Sequence, residues 1–362
     1  MQKEKKKLNI LVIPNDVKSG CFWYRTFIPC KYLEKRGHKI KITQKIPVMR
    51  EQKQKFNKNG VLKTNEELRV HPKDLEWADV IWFQRYYMDH PMPYIQMIQY
   101  AKENKKVIAY DLDDILDADK IPIYNPTGFQ IARDSTQRLI TYFLNNADVK
   151  TCASHALAEH YHMEYVPNNL DFELWDEAKE MPRKKHEKIC VGFAGGASHI
   201  RDLKLIEPIL QRFVDKGLIE VFLMGLPPVF DFEHKVAPFC PSKRYPYKLN
   251  KYGIDIGICP LEDISFNDYK SSVKWQEYSA LGIPSIVSFK RPYNIVKNET
   301  TGFVCRDEKD WEKYLTLLIK NTKLRNRVGL QAYNKVKKMY DIEKNVEVWE
   351  KLFIDKFKQL NE

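Results

Sequence analysis

Short apolar runs alternate with helical patterns in two successive series, and this alternation restricts the fold of the 362-residue chain more than any other feature. Runs at residues 9–13, 39–43, 80–83, 106–110 and 149–152 make the first series, and runs at 189–193, 219–224, 254–259 and 284–287 the second. Helical patterns at 25–36, 93–104, 133–145, 202–216 and 271–281 lie between them. Near-continuous apolar runs suit strands covered on both faces, and parallel neighbours need long crossovers, usually helices. The expected fold class is α/β, with two doubly wound Rossmann-like domains.

The polar stretch 181–188, opened by Pro182, separates the two series and reads as the interdomain linker. The expected units are residues 1–180, residues 189–340 and a terminal helix over 341–362. Residues 309–362 read as helical throughout, with Trp311, Tyr314, Leu315 and Leu318, then Val346, Trp349, Leu352 and Phe353 as apolar positions. The length allows each domain its own core, and 43% apolar with 30% charged residues fits a soluble globular chain.

The Lys-rich residues 1–7 resemble a signal n-region, but Asn15 and Asp16 end the apolar run too early, so residues 8–14 read as a first strand. No stretch approaches the roughly 18 apolar residues that a membrane-spanning helix needs. Seven scattered cysteines without a Cys-x-x-Cys imply reduced thiols in a cytoplasmic protein and no zinc site. The net charge of +12 has a centre: Lys39, Lys41, Lys45, Arg50, Lys53, Lys55, Lys58, Lys63, Arg69 and Lys73 crowd one stretch poor in apolar residues. This reads as a surface insertion able to meet a polyanion, either an anionic membrane or glycolipid or DNA; a Lys-rich proteome explains the total equally well.

The most informative local stretch runs from Asn267 to Ser288. Ser271 or Ser272 suits a helix cap, Gly282 a left-handed stop, and Pro284 the entry to a strand. Glu277 then lies near the helix C-terminus, where a carboxylate costs roughly 0.3–1 kcal/mol against the macrodipole. Pairing with Lys274 one turn earlier is the plain structural account. The functional one makes Glu277 a fixed acceptor for the vicinal hydroxyls of a sugar.

Gly195 and Gly196 form a turn between a strand and the helix that begins near Asp202, as a close-approaching diphosphate requires and as any tight turn allows. Arg201 and Lys204 could neutralise phosphate, with Lys270 and Lys274 as rivals, and His199 could bond sugar or phosphate. Asp111, Asp113 and Asp114 stand at the end of a buried strand, where like charges need a cation nearby. Asp113 and Asp114 are candidates for contact with the reacting sugar or for general-base help to an acceptor hydroxyl, with helix capping as the plain account. Tyr24 and Arg25, on the helix after the first strand, offer an aromatic face and a phosphate-reaching guanidinium, or simply pack that helix.

The pattern Glu277-x-x-x-x-Gly282-x-Pro284 before a small apolar strand resembles the donor-site helix of family-4-like glycosyltransferases with the GT-B fold. Residues 266–278 are similar to a diverged branch of bacteria and phages, as is Gly20-x-x-x-Tyr24-Arg25-x-x-x-Pro29. Pro167-Asn168-Asn169-Leu170-Asp171 is similar to that family's crossover between domains, with Asn169 where the family has glycine. The resemblance implies two Rossmann-like domains facing a cleft, with a last helix crossing back to the first domain. It also implies transfer of a sugar from a nucleotide-diphosphate donor, a UDP-sugar being favoured, with retained configuration and neither cofactor nor metal. Glu277 would hold the ribose and Ser271, Ser272 and the glycine turn the diphosphate. The family's second glutamate falls at Tyr269 here, and its sugar-contacting histidine is replaced by the acidic cluster. The acceptor would be a glycan or lipid-linked glycan, hydroxymethylated DNA bases being the alternative. A nucleotide-sugar epimerase of the same fold and a non-catalytic nucleic-acid binder are the remaining rivals.

Overall fold

Each of two sheets is six-stranded and parallel, and in each the chain starts at an interior strand. The computed structural model describes residues 6–43, 48–56, 62–70, 72–85, 87 and 91–362. β1 (Asn9–Pro14) and β2 (Lys39–Ile42) precede an antiparallel hairpin of β3 (Val48–Phe56) and β4 (Leu62–Val70). β5 (Val80–Gln84), β6 (Val107–Leu112), β7 (Val149–Cys152) and β8 (Glu164–Tyr165) complete the first sheet, in the order β2-β1-β5-β6-β7-β8. β9 (Ile189–Ala194), β10 (Ile219–Met224), β11 (Lys235–Ala237), β12 (Ile256–Cys259), β13 (Ser285–Ser288) and β14 (Phe303–Cys305) form the second, in the order β11-β10-β9-β12-β13-β14.

The apolar runs explain the layering. Every residue of β5 and β6 is buried, as helices on both faces require. In each sheet the strand order reverses beside the first strand, at β1/β5 and at β9/β12, and a crevice opens at the carboxyl ends there.

The last helix, Ile342–Asn361, lies against the first sheet. Trp349 and Phe353 pack on Trp82 with ring centroids 4.6 and 5.4 Å apart, and Glu350 accepts from Arg36 at 2.6 Å. Burying each such aromatic stabilises this return by about 1.5–3 kcal/mol.

The crossing between domains differs from the expected linker. The stretch 181–188 is tied to the second domain, where Asn250 donates to the Met181 carbonyl and the Lys184 amide to the Lys251 carbonyl. The helix Phe172–Glu180 also leans that way, with Trp175 edge-on to Tyr245, because its apolar face finds cover there. The chain passes over near Leu170, whose amide donates to the Tyr340 carbonyl at 2.7 Å, while Ile342 donates back to Leu170 at 3.1 Å.

The helix expected over 202–216 is two, Ile200–Lys204 and Glu207–Asp215, since Pro208 lacks the amide that a continuous helix needs. Of the basic stretch, Lys45 and Lys58 lie outside the described residues, and the hairpin strands carry Arg50, Lys53, Lys55, Lys63 and Arg69. Among the described residues, no helix is long and apolar enough to cross a membrane.

Candidate active site

The two crevices face each other across a cleft, which contains a cavity of about 430 Å³. The first domain supplies the loop after β1 and the helical turn that follows it, with Tyr24, and the turn after β6, with Asp113 and Asp114. The second supplies Gly196 and His199 after β9, Lys270 and Ser271, and Val273, Lys274 and Glu277 from the helix Val273–Ala280.

Glu277 is buried in the wall of this cavity at 5% exposure. Its Oε1 accepts from the Tyr24 hydroxyl at 2.8 Å and its Oε2 from the Tyr245 hydroxyl at 2.9 Å. Lys274 Nζ stands 3.9 Å from Oε2, so the expected ion pair is the loosest of the three contacts. Burial pushes the Glu277 carboxyl up, and Lys274 and the two phenols offset only part of that.

The helix carrying Glu277 opens toward the cavity without a side-chain cap. Ser272 occupies the capping position, yet its Oγ accepts from Gln276 at 3.1 Å, while Ser271 Oγ accepts from Asn168 of the first domain at 3.0 Å. This departs from the expected cap and leaves the first-turn amides for an anion. Lys270 rests over the Phe266 ring at 4.7 Å and Lys274 over Phe193 at 5.7 Å, so both ammonium groups stand beside that opening. Gly282 ends the chain's next turn at φ +70°, as the sequence implies.

Gly196 lines the cavity, and a Cβ there would meet nothing within 4 Å. A Cβ on Gly195 would stand 2.7 Å from the Phe193 ring and 2.9 Å from Lys274 Cε. Gly195 therefore clears the path of Lys274 rather than touching the cavity itself.

His199 Nδ1 lies 2.8 Å from Asp202 Oδ2. Burial lowers the His199 pKa to about 4, Lys270 and Lys274 adding to the effect against the pull of Asp202. The neutral ring then donates from Nδ1 and keeps Nε2 as an acceptor. Asp202 is more than the helix-terminal residue expected of it. Its Oδ1 accepts from the Glu262 amide at 2.7 Å and from Asn267 at 3.0 Å.

The cation required beside the acidic cluster is Arg85, which follows β5 at φ +73°. It donates to Asp114 at 3.0 Å and to Cys21 Sγ at 2.9 Å, and lies 3.5 Å from Asp113. Burial pushes the Asp114 carboxyl up, but Lys270 and Arg85 outweigh it and the net shift is down. Asp113 Oδ1 is buried and has no hydrogen-bond partner, though its residue lines the cavity.

Some expected site residues are elsewhere. Arg25 is fully buried and grips Asp111 with two bonds, at 2.6 and 3.0 Å, and does not line the cavity. Arg201 is turned to Glu262 at 2.8 Å and stacks on Tyr124, and Lys204 pairs with Glu207 at 2.8 Å, both on the outer side of their short helix. Neither lines the cavity, because the helix is one and a half turns long and Asp202, not they, points inward.

Sequence reasoning missed Tyr245, Arg85 and Asn168. Arg85 had a signal, since it directly follows the strand beside a switch point. Tyr245 and Asn168 act only through tertiary contacts.

No protein-family model matches the chain, and no curated protein does. Solved structures do. Sucrose-phosphate synthase of Thermosynechococcus elongatus superposes with TM-score 0.64 at 12% identity, over 97% of this chain and 100% of that one. A glycosyltransferase of Rickettsia africae gives 0.62 at 14% identity, covering 98% and 99%. HepE of Anabaena in complex with UDP-glucose gives 0.63 at 11% identity, covering 94% and 98%. The chain has the GT-B fold of these proteins, two Rossmann-like domains with the site cleft between them.

Proposed function

We propose that this protein is a glycosyltransferase that moves a sugar from a nucleotide-diphosphate donor, by preference a UDP-sugar, to a hydroxyl acceptor with retention of configuration. The observation that carries the reading is Glu277, a buried carboxylate fixed from both domains one turn past an uncapped helix N-terminus. In that geometry the carboxylate takes the ribose hydroxyls, and the amides of residues 271–273 with Lys270 and Lys274 take the diphosphate. HepE, of the same fold, was solved with UDP-glucose, which supports a nucleotide-sugar ligand.

Catalysis on this reading is positioning and charge stabilisation of the leaving diphosphate. The two lysines and the helix amides supply the positive charge, so no metal ion is needed there. Asp113 accepts a hydrogen bond from the reacting sugar or the acceptor hydroxyl through its free Oδ1, and Arg85 holds it in place. Asp114, kept ionised by Lys270 and Arg85, is an acceptor only. Neutral His199 offers Nε2 to a donor-sugar hydroxyl.

A glycan or lipid-linked glycan is the favoured acceptor, with the basic hairpin of the first domain against an anionic surface. Turnover of a panel of nucleotide sugars, with lipid-linked glycan, hydroxymethylated DNA or plain DNA supplied in parallel, tests the reading. Transfer to glycan unaffected by added Mg²⁺, with the product's anomeric configuration retained by NMR, is expected. Transfer to modified DNA alone would replace the acceptor, and the absence of both nucleotide binding and donor turnover would sink the enzyme reading.

A further inference from the structure

A second cluster of chemistry-bearing side chains stands at the opposite end of the second sheet from the cleft. Cys190 and Glu220 are direct partners in the β9/β10 ladder, near the amino ends of both strands, so their side chains share one face. His186, on the stretch entering β9, lies over them. One ligand atom of each of His186, Cys190 and Glu220 lies within 4.8 Å of the other two.

The geometry argues for an occupant. His186 Nε2 lies 2.7 Å from the Tyr252 carbonyl, which only accepts, so Nε2 donates there and Nδ1 is turned toward the other two side chains. Nδ1 abuts Glu220 Oε1, which is buried and accepts no hydrogen bond. A ring nitrogen and a carboxylate oxygen that face each other are joined by a cation, either a ring proton or a metal. The third donor, a buried cysteine sulfur, has no use for a proton on the histidine but would complete a metal's ligand set.

We propose that His186, Cys190 and Glu220 bind one Zn²⁺-class cation that clamps the 181–188 stretch onto the second sheet. Nitrogen, sulfur and one carboxylate oxygen suit zinc, whereas Mg²⁺ and Ca²⁺ favour oxygen alone. The orienting contacts that metal ligands generally have are present. Tyr252 fixes the ring, Lys235 holds Glu220 Oε2 at 2.5 Å and leaves Oε1 to the ion, and the Cys190 amide donates to Asp255 at 2.9 Å. Burial pushes the Cys190 thiol up to about 12, so binding breaks its S–H bond, forms a zinc–sulfur bond and releases the proton to solvent. Water fills the fourth position. Thiolate and carboxylate together neutralise the dication, so the neighbouring Lys184, Lys185 and Lys188 face no net added charge. Cysteine spacing alone hides this site, because its ligands are a His-x-x-x-Cys pair and a residue from the next strand.

The full-length protein, stripped with a chelator, is titrated with Zn²⁺ by calorimetry and separately loaded with Co²⁺. Expected are one Zn²⁺ per chain and a thiolate-to-cobalt charge-transfer band. Cys190→Ser removes the band, and His186→Gln, at a less buried position, weakens Zn²⁺ binding at least about tenfold. No stoichiometric uptake, or equal uptake by wild type and both variants, overturns the proposal and leaves a proton between His186 and Glu220. Glycosyl transfer enters neither readout, so this proposal and the proposed function fail separately.

Discussion

The Tyr24 hydroxyl donates to Glu277 Oε1 at 2.8 Å across 253 positions of sequence, and so joins the first domain to the helix that carries the candidate site. Tyr245 holds the other oxygen from the second domain. A carboxylate held at both oxygens cannot swing, yet each oxygen keeps lone-pair capacity for a ligand hydroxyl.

Glu277→Gln should separate stability from binding. A buried group whose carboxyl is pushed up in the fold contributes stability that is fully present at low pH and lost as pH rises through the folded value. Glutamine has no charge to bury, so at pH 8 its melting temperature should equal or exceed wild type. Hydrogen bonds from ligand to a charged acceptor are worth about 1.5–3 kcal/mol, so affinity for a UDP-sugar should fall about tenfold to a hundredfold by calorimetry. A variant that unfolds earlier at pH 8 and binds normally would make Glu277 structural.

The glycine pair gives a cleaner separation. Gly196 has open space at its Cβ and φ −91°, so Gly196→Ala should fold and melt as wild type does. If a diphosphate occupies that space, KM for the donor rises at least about tenfold, a cost of roughly 1.4 kcal/mol. Gly195→Ala must instead displace Phe193 and Lys274, and should lower the melting temperature as well as donor affinity.

Four basic residues sort by where they point. Lys270→Ala and Lys274→Ala should each weaken donor binding markedly, and the loss should shrink for the nucleoside without phosphates. Arg201→Ala and Lys204→Ala break exposed, solvent-screened ion pairs and should leave donor KM within about twofold. The reverse ranking in steady-state kinetics would move the diphosphate to the short helix Ile200–Lys204.

His199 ties the cleft to pH. Its pKa is lowered from 6.5 to about 4, so between those values the unfolded chain binds a proton that the fold refuses. Its stabilising contribution is therefore complete above pH 6.5 and is lost as pH falls toward 4. Each unit is about 1.4 kcal/mol, so roughly 3 kcal/mol should disappear over that window. Urea unfolding at pH 7 and pH 5 should show a smaller drop for His199→Gln than for wild type.

Sheets with both faces covered are legible in a sequence because nothing else explains runs such as Val80 to Phe83. The hairpin of β3 and β4 is not, since the sequences of its two strands, rich in lysine and glutamate, show no apolar alternation. β8, β11 and β14 are two or three residues long and exist only as additions to a neighbour. The candidate site divides in the same way. Glu277, Lys274 and Gly196 come from local patterns, a helix with its stop and a turn after a strand. Tyr245 and Arg85 are ordinary residues until tertiary structure sets them beside a carboxylate. Arg25 shows the opposite failure, because an arginine beside a cleft motif invites a ligand while the fold uses it inside the core.

The use of Arg25 is itself testable. Its guanidinium donates twice to Asp111, once to the Val166 carbonyl at 2.6 Å and once to Asn168 at 3.2 Å, so it braces β6 against the crossover. Thr151 adds a bond to Asp111 at 2.7 Å, and the Trp349 ring of the last helix covers the guanidinium at 5.3 Å. Arg25→Met would leave the Asp111 charge buried without its partner, at a cost of about 3–5 kcal/mol. Replacing both, as Arg25→Met with Asp111→Leu, removes the stranded charge and should recover most of that loss, since an apolar pair is often neutral or better in such a place. The recovery should be incomplete, because Val166 and Asn168 still lose their donor. Denaturant unfolding of the two single variants and the double gives the coupling directly. A single variant costing under about 1 kcal/mol would show that the pair is not what holds the crossover to the first sheet.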